Sequence, residues 1–236
     1  MKLTKEIINS MPFYFSYEAI KGKINSETSI EDSTLQTYLS RDVSAGTLSD
    51  AGKGWYSRLQ KEFILDTKPL KRVLGILKKA FPLLEASSWS TEQINPFTHH
   101  MLGKHILFTY VASDAVNSVH ETLLAHNYNS YANPGKPEIK KSFRISKNTV
   151  IVRPSVAKQP ESLNGASPIE KILVDLLFEN RRLNIMPQEE AKLVLENAMA
   201  TGTIKISSMI SYAKRREMDI AKTIKDFRII RFSGDA

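Results

Sequence analysis

Apolar residues that recur every three or four positions predict three short amphipathic helices within residues 1–45. The first ends before Pro12, the second begins at the N-cap Ser16, and the third begins at the N-cap Ser33. Their apolar positions are Leu3, Ile7, Ile8 and Met11 in the first, Tyr17, Ala19 and Ile20 in the second, and Leu35, Tyr38, Leu39 and Val43 in the third. The other positions of the third helix are mainly polar.

A β-hairpin is predicted directly after the third helix. Gly46 is suited to end that helix, and an extended run from Thr47 is broken by the glycine-rich turn 51–54 and resumes over 55–59. Three short helices followed by a hairpin is the order of a winged helix-turn-helix. In that motif the third helix enters the DNA major groove and the hairpin lies along the backbone.

The middle of the chain alternates strand-like and helical patterns. An amphipathic helix over 67–80 has four cations, Lys71, Arg72, Lys78 and Lys79, opposite its leucines. The pattern predicts strands at 86–89, 105–111 and 149–153 and a helix at 114–124. The segment 127–148 is rich in Asn, Pro, Gly and Lys, which predicts a loop with a short strand or a partly mobile surface segment.

The last third of the chain is predicted to be helical. One helix is capped by Ser167 with Pro168 in its first turn, another is opened by Pro187, and a third contains Ile206 and Ala213. We therefore predict an α+β fold. It consists of a winged helix-turn-helix domain over residues 1–65 and a mixed α/β domain over 66–236 that ends in helices.

Composition narrows the class of protein. The 236 residues include no cysteine, which excludes disulfide scaffolds, cysteine-ligated zinc, iron–sulfur clusters and thiol nucleophiles. Mean hydropathy is −0.27, and apolar runs are shorter than the roughly 18 residues of a membrane span, so we expect a cytoplasmic protein without a membrane partner. A net charge of +8 and an isoelectric point near 9.5 favour a polyanionic partner.

The third helix and the hairpin carry the residues expected to bind DNA. Hydroxyl, carboxamide and guanidinium groups can bond to base edges and phosphates, although such a helix face alone is more often only solvated. Basic residues on a hairpin that follows at the right place favour DNA binding. The candidates are Ser33, Thr34, Gln36, Thr37, Ser40 and Arg41 on the helix, and Lys53, Tyr56 and Arg58 on the hairpin.

Two further features of the sequence concern the roles of single residues. Trp55 is expected to pack in the hairpin core, which leaves the Tyr56 phenol open to donate to a phosphate oxygen. The cluster Lys214, Arg215 and Arg216 follows an apolar helix, where cations complement the helix dipole. The cluster is therefore either a plain helix end or a surface for DNA or an acidic partner.

Enzymatic motifs are missing from the sequence. The five histidines do not occur with H-x3-H spacing, and the chain contains no phosphate-binding loop, dinucleotide fingerprint or nucleophile elbow. We therefore expect no metal, no cofactor and no enzymatic activity. A nuclease would need a few carboxylates around Mg²⁺. The acidic candidates are Asp114, Glu121, Glu138, Glu170 and Asp175, with Lys140 nearby in sequence, but Glu170 and Asp175 fit a helix start and a paired acid better.

Six segments in order along the chain resemble one family of regulators. STLQTYLSR at 33–41, AGTL at 45–48 and GWY at 54–56 resemble the L-x-x-L-x-x-x-G-x-L-x-x-x-G-x-Y winged-helix pattern of AbiEi-type antitoxins. WSTEQINPF at 89–97, PIEKILVD at 168–175 and YAKRR at 212–216 are similar to later segments of that family.

This resemblance implies a type IV toxin–antitoxin antitoxin with a role in phage defence. It implies that the winged helix represses its own operon by binding double-stranded DNA at inverted repeats in the promoter. It also implies that the larger C-terminal domain counters a nucleotidyltransferase-like toxin without a stable complex. Two other interpretations remain: a winged-helix regulator whose C-terminal domain senses a ligand or a protein, and a nuclease-like DNA-binding protein.

Overall fold

Short helices and strands follow one another along the chain in the computed structural model, which describes residues 2–59, 64–201 and 204–232. The helices are α1 (Lys2–Ser10), α2 (Tyr17–Glu27), α3 (Asp32–Ser44), α4 (Lys71–Ala80), α5 (Val116–Ala125), α6 (Lys136–Lys141), α7 (Ile169–Leu183), α8 (Gln188–Thr201), α9 (Ile206–Arg215) and α10 (Ile220–Lys225). The strands are β1 (Tyr14–Ser16), β2 (Ser49–Asp50), β3 (Trp55–Ser57), β4 (Ser87–Ser90), β5 (Ile106–Val111), β6 (Asn129–Ala132), β7 (Thr149–Pro154) and β8 (Ile230–Arg231). Helices and strands both occur in the described residues, with helix the more abundant, so the predicted α+β class is confirmed.

The chain forms two compact units, and they differ from the predicted domains. The first unit contains residues 1–63 together with 196–236, and the second contains 64–195. The segment 196–236, which we assigned to the C-terminal domain, is part of the first unit. The physical reason is a strand pairing that the sequence pattern does not reveal, because β8 runs parallel to β1.

The first unit is built on a four-stranded sheet in the order β2-β3-β1-β8. Strand β1 is antiparallel to β3 and parallel to β8. Phe15 of β1 belongs to the apolar core that α1, α2 and α3 form on one face of this sheet. Its neighbour Tyr14 faces the other way, and the Tyr14 hydroxyl accepts a hydrogen bond from Ile204 N at 3.0 Å. The segment leading into α9 therefore covers the opposite face of β1.

Two helix starts differ from each other in the way they are capped. Ser16 Oγ accepts from Ala19 N at 3.1 Å, which confirms Ser16 as the N-cap of α2. The prediction for Ser33 is wrong, because α3 begins one residue before it and its N-cap, Glu31, makes no side-chain bond. An acidic residue in the first turn complements the positive end of the helix dipole, which accounts for the earlier start.

The second unit has a sheet in the order β4-β5-β7-β6, with β5, β7 and β6 parallel and β4 antiparallel to β5. Leucine and valine side chains of α4 and α5 form the core on one face, together with alternate residues of β5 and β7 such as Leu107 and Val150. On the other face the rings of Trp89 and Phe108 stack at 4.5 Å, and α7 packs with eleven buried residues. Both faces of this sheet are therefore covered.

Several predictions for the second unit and the C-terminal segment need correction. The segment 127–148 holds a helix, α6, as well as the short strand β6. Ser167 does not cap α7, because Pro168 occupies the N-cap position and Ser167 Oγ bonds to Ser87 Oγ at 2.8 Å. The elements β1, α10 and β8 were not predicted. Each is only two to six residues long, which is too short to display a period.

Candidate nucleic-acid interface

The polar residues that the sequence singles out on α3 lie on its outer side. Leu35 and Leu39 are fully buried in the core shared with α1 and α2, which turns the other side of α3 outward. Ser33, Gln36, Thr37, Ser40 and Arg41 are exposed, and Thr34 is half-buried. We call these six residues the α3 strip. Their spacing aligns most of them along one line, so the helix presents hydroxyl, carboxamide and guanidinium groups to solvent.

A contact between α2 and α3 fixes the start of the α3 strip, and sequence reasoning did not identify it. Lys21 Nζ lies 2.8 Å from Asp32 Oδ1, and the Tyr17 hydroxyl donates to the same carboxylate at 3.3 Å. The hydrogen bond from Lys21 lowers the pKa of Asp32, and Lys21 balances the charge of this carboxylate. The available signal was a lysine on the second helix followed by an aspartate at the start of the third.

The hairpin turn carries Lys53 at an exposed tip. Lys53 stands between Gly52 at φ +97° and Gly54 at φ +75°, and the Asp50 carboxylate accepts from Gly52 N at 2.8 Å. A Cβ on residue 52 would lie 2.0 Å from Ser207 Oγ, so only glycine fits there. The turn is therefore held in a defined shape, and its one lysine points away from the core.

The two aromatic residues of β3 occupy the reverse of their predicted positions. Tyr56 pairs with Phe15 across the sheet, and their rings stack at 5.9 Å on the core face. Trp55 faces the other side and meets the Phe232 ring edge-on at 5.0 Å. Burial, together with nearby Asp50, raises the pKa of Tyr56. The Tyr56 ring therefore packs on the core face rather than pointing outward, and its contact with a phosphate stays a prediction.

Arg58 is also used inside the first unit. Its Nη1 donates to the Asn9 carbonyl at 2.7 Å, and its Nε donates to the Pro12 carbonyl at 3.4 Å. The guanidinium lies 5.8 Å from the centre of the Phe13 ring. A cation at the C-terminal end of α1 satisfies carbonyls that the helix leaves unpaired. These contacts tie the hairpin to α1, and the phosphate contact expected of Arg58 stays a prediction.

The basic cluster 214–216 lies at the end of α9, within the first unit rather than the second. Lys214 and Arg215 are exposed. Arg216 is half-buried, with its guanidinium 6.0 Å from the centre of the Tyr212 ring. The position fits a helix end stabilised by cations and also leaves two charges at the surface of the unit that contains α3.

The carboxylates considered for a nuclease do not form a site in the structure. Asp175 is fully buried and ion-paired with Lys171, and Glu170 is buried as well. Asp114, Glu121, Glu138 and Lys140 are exposed. Across 2–59, 64–201 and 204–232, no group of three His, Asp or Glu residues is placed to hold a metal ion. In the same part of the chain, no helix combines the length and apolarity needed to span a bilayer.

A family model matches most of this sequence. The family described as "Family of unknown function (DUF6577)" matches residues 34–228, well over half of the chain. The chain belongs to this family. In this DUF6577 member the matched region starts within α3 and ends just before β8, so it includes residues of both units. No curated protein and no solved structure matches the chain.

Proposed function

We propose that this DUF6577 chain is an AbiEi-like antitoxin that binds the promoter DNA of its own operon and represses it. In this proposal residues 2–59 act as a winged helix-turn-helix, with α3 as the recognition helix and the β2–β3 hairpin as the wing. The observation that carries the proposal is the order α1-β1-α2-α3-β2-β3 combined with an α3 strip that faces solvent.

The chemistry of the α3 strip suits contact with base edges and phosphates. The Gln36 carboxamide can bond to adenine in two places, and the Arg41 guanidinium can do the same with guanine. Short hydroxyl side chains such as Ser33 and Ser40 reach phosphate oxygens, which fixes the register of the helix on the duplex. Lys53 would add a phosphate contact from the wing, where charge rather than sequence decides the binding.

Replacing Arg41 by alanine is expected to weaken binding to the chain's own promoter by about 1–3 kcal/mol and to relax specificity at one base pair, because a two-bond contact to guanine is lost. The measurement is a titration of promoter fragments with single base-pair changes. Arg181→Ala removes the same charge from an exposed site on α7 and serves as the matched control.

Lys53→Ala separates wing contacts from base contacts in the same titration. It should weaken binding to all sequences alike and lower the slope of log affinity against log salt by about one.

An Arg41→Ala protein that keeps its affinity and its base preference, with unchanged circular dichroism, would exclude α3 as the recognition helix.

The antitoxin part of the proposal is supported by the resemblance to AbiEi-type proteins and has its own test. Full-length protein co-expressed in the cytoplasm with a nucleotidyltransferase-like toxin encoded beside it should restore growth. The Arg41→Ala variant should restore growth equally well, since repression and antitoxicity are proposed to use different residues. Growth arrest in the presence of soluble, folded protein would show that the protein has no antitoxin activity. Only the proposal of a DNA-binding regulator would then remain.

A further inference from the structure

Helix α4 and the turn before it form the most one-sided charge pattern in the second unit. Residues 67–84 contain five cations and neither Asp nor Glu. The cations are Lys68, Lys71, Arg72, Lys78 and Lys79, and all five are exposed. None takes part in the ion pairs found among the described residues. Like charges on neighbouring turns of a helix repel each other, so this surface is complementary to an anion.

A groove of about 880 Å³ runs along this helix. We call it the α4 groove. Its lining combines apolar groups with the charged side chains. The residues that line it include Pro69, Ile76 and Ala80 together with Lys68, Lys71 and Lys79. A groove with this lining offers both apolar burial and charge pairing to whatever occupies it.

Gly75 lies in the middle of α4 and contributes to the groove. A Cβ at this position would have no other atom of the described residues within 4 Å, so crowding among them does not call for glycine. Glycine destabilises a helix interior relative to alanine. Because glycine has no side chain, it leaves the helix backbone open where it lines the groove, and another chain can approach closely there.

Arg72 gives the α4 groove a fixed cation. Its Nη2 donates to the His126 carbonyl at 2.8 Å, and its guanidinium lies 4.7 Å from the centre of the Tyr128 ring. A guanidinium held on two sides loses little further freedom when it pairs with an anion. This residue also lines a second, smaller cavity together with Lys104, Lys147 and one acidic residue, Glu92.

We propose that the α4 groove binds an acidic, amphipathic segment of a protein partner. Acidic side chains of the segment pair with Lys68, Lys71, Arg72 and Lys79, while its apolar side chains lie on Pro69, Ile76 and the open backbone at Gly75. A nucleic-acid backbone would use the cations but leave the apolar lining without a partner. The inference concerns the second unit and does not depend on DNA binding by α3.

The test uses a labelled synthetic peptide of about 15 residues, made of Glu and Leu with leucines at helical three- and four-residue spacing. The control peptide has the same composition in an order that breaks the leucine stripe. Binding to the full-length protein is followed by fluorescence anisotropy at about 150 mM salt. The amphipathic peptide should bind at least about tenfold more tightly than its control.

Matched variants locate the peptide on the protein. The double change Lys71→Glu with Lys79→Glu should weaken binding by about tenfold or more, and Lys140→Glu with Lys141→Glu, on exposed positions of α6, should not. Gly75→Ala should raise the melting temperature of the protein and weaken peptide binding. Gly22→Ala, at an equally open position in α2, should raise the melting temperature and leave peptide binding unchanged.

Three outcomes would overturn the proposal. Equal binding of the two peptides would show attraction by charge alone. An equal loss of peptide binding in the α6 variants would show that the peptide binds at another site or has no specific site. Binding of a random-sequence DNA duplex that depends on Lys71 and Lys79, with peptide binding unaffected by the same changes, would assign the surface to nucleic acid. All measurements are made without promoter DNA, so failure of DNA recognition by α3 does not affect them.

Discussion

Glu179→Gln is expected to destabilise the second unit by about 3–5 kcal/mol, because the change leaves the Arg153 guanidinium buried without its anionic partner. Arg153 and Glu179 are 2% and 0% exposed and are joined by two hydrogen bonds of 3.1 and 2.7 Å. The Tyr110 hydroxyl donates to the same carboxylate at 3.4 Å. A charge that cannot return to water depends on these bonds for its stability in the fold.

Urea unfolding followed by tryptophan fluorescence can measure this loss in one unit. The chain has two tryptophans, and Trp89 is buried in the second unit while Trp55 belongs to the first. A Trp55→Phe background therefore reports the second unit alone. Two units need not unfold together, so separate reporters are required before a free energy is assigned.

A compensated pair tests whether the buried charge causes the loss. Arg153→Met combined with Glu179→Leu should recover most of the stability, because an apolar pair of similar volume requires no ion pairing. Glu85→Gln, at an exposed position in the same unit, should change stability by less than about 0.5 kcal/mol. If Glu179→Gln unfolds at the same urea concentration as the unaltered protein, the ion pair does not stabilise this unit.

Removal of residues 204–236 is expected to unfold the first unit and leave the second folded. The deletion removes β8 from the sheet, the bond from Ile204 N to the Tyr14 hydroxyl, and the apolar residues of α9 and α10. Full burial of one large apolar side chain stabilises a fold by roughly 1.5–3 kcal/mol, so the loss of six or more is comparable to or larger than a typical total stability of about 5–15 kcal/mol. The buried apolar residues that the deletion removes are Ile204, Ile206, Met209, Tyr212, Ala213, Met218, Ile220, Ile224 and Ile230.

Fluorescence of the two tryptophans distinguishes the units after this deletion. Trp55 should show the red-shifted emission of an exposed side chain, and Trp89 should keep its native emission spectrum and its urea midpoint. Ile224→Ala is a milder change than the deletion. It is expected to lower the free energy of unfolding of the first unit alone by about 2–5 kcal/mol. A deletion protein in which Trp55 keeps a cooperative transition would show that residues 2–59 are stable without the C-terminal segment.

Regular helices could be predicted from the sequence because their signals are local. The Ser16 hydroxyl caps α2 as expected, and the leucines at 35 and 39 are the buried positions of α3. The pairing of β8 with β1 could not be predicted, since two-residue and three-residue strands carry no period and their partners lie far apart in sequence.

The candidate site could be predicted only as far as helix periodicity determines it. Alternation along β3 places Trp55 and Tyr56 on opposite faces but does not say which face is buried, and a one-residue error reverses the assignment. Arg58 shows a second limit. An arginine after a hairpin fits a phosphate contact, but its partners here are the Asn9 and Pro12 carbonyls, more than forty residues earlier. The role of such a cation depends on three-dimensional neighbours.

The parallel pairing of β1 with β8 also determines the order in which a nascent chain can fold. The second unit, residues 64–195, is inserted between the two segments of the first. During synthesis all of the second unit has left the ribosome before the first unit has the strand and helices it needs to close. The unit that carries α3 is therefore completed last, and only a chain translated through β8 holds the α3 strip on a finished scaffold.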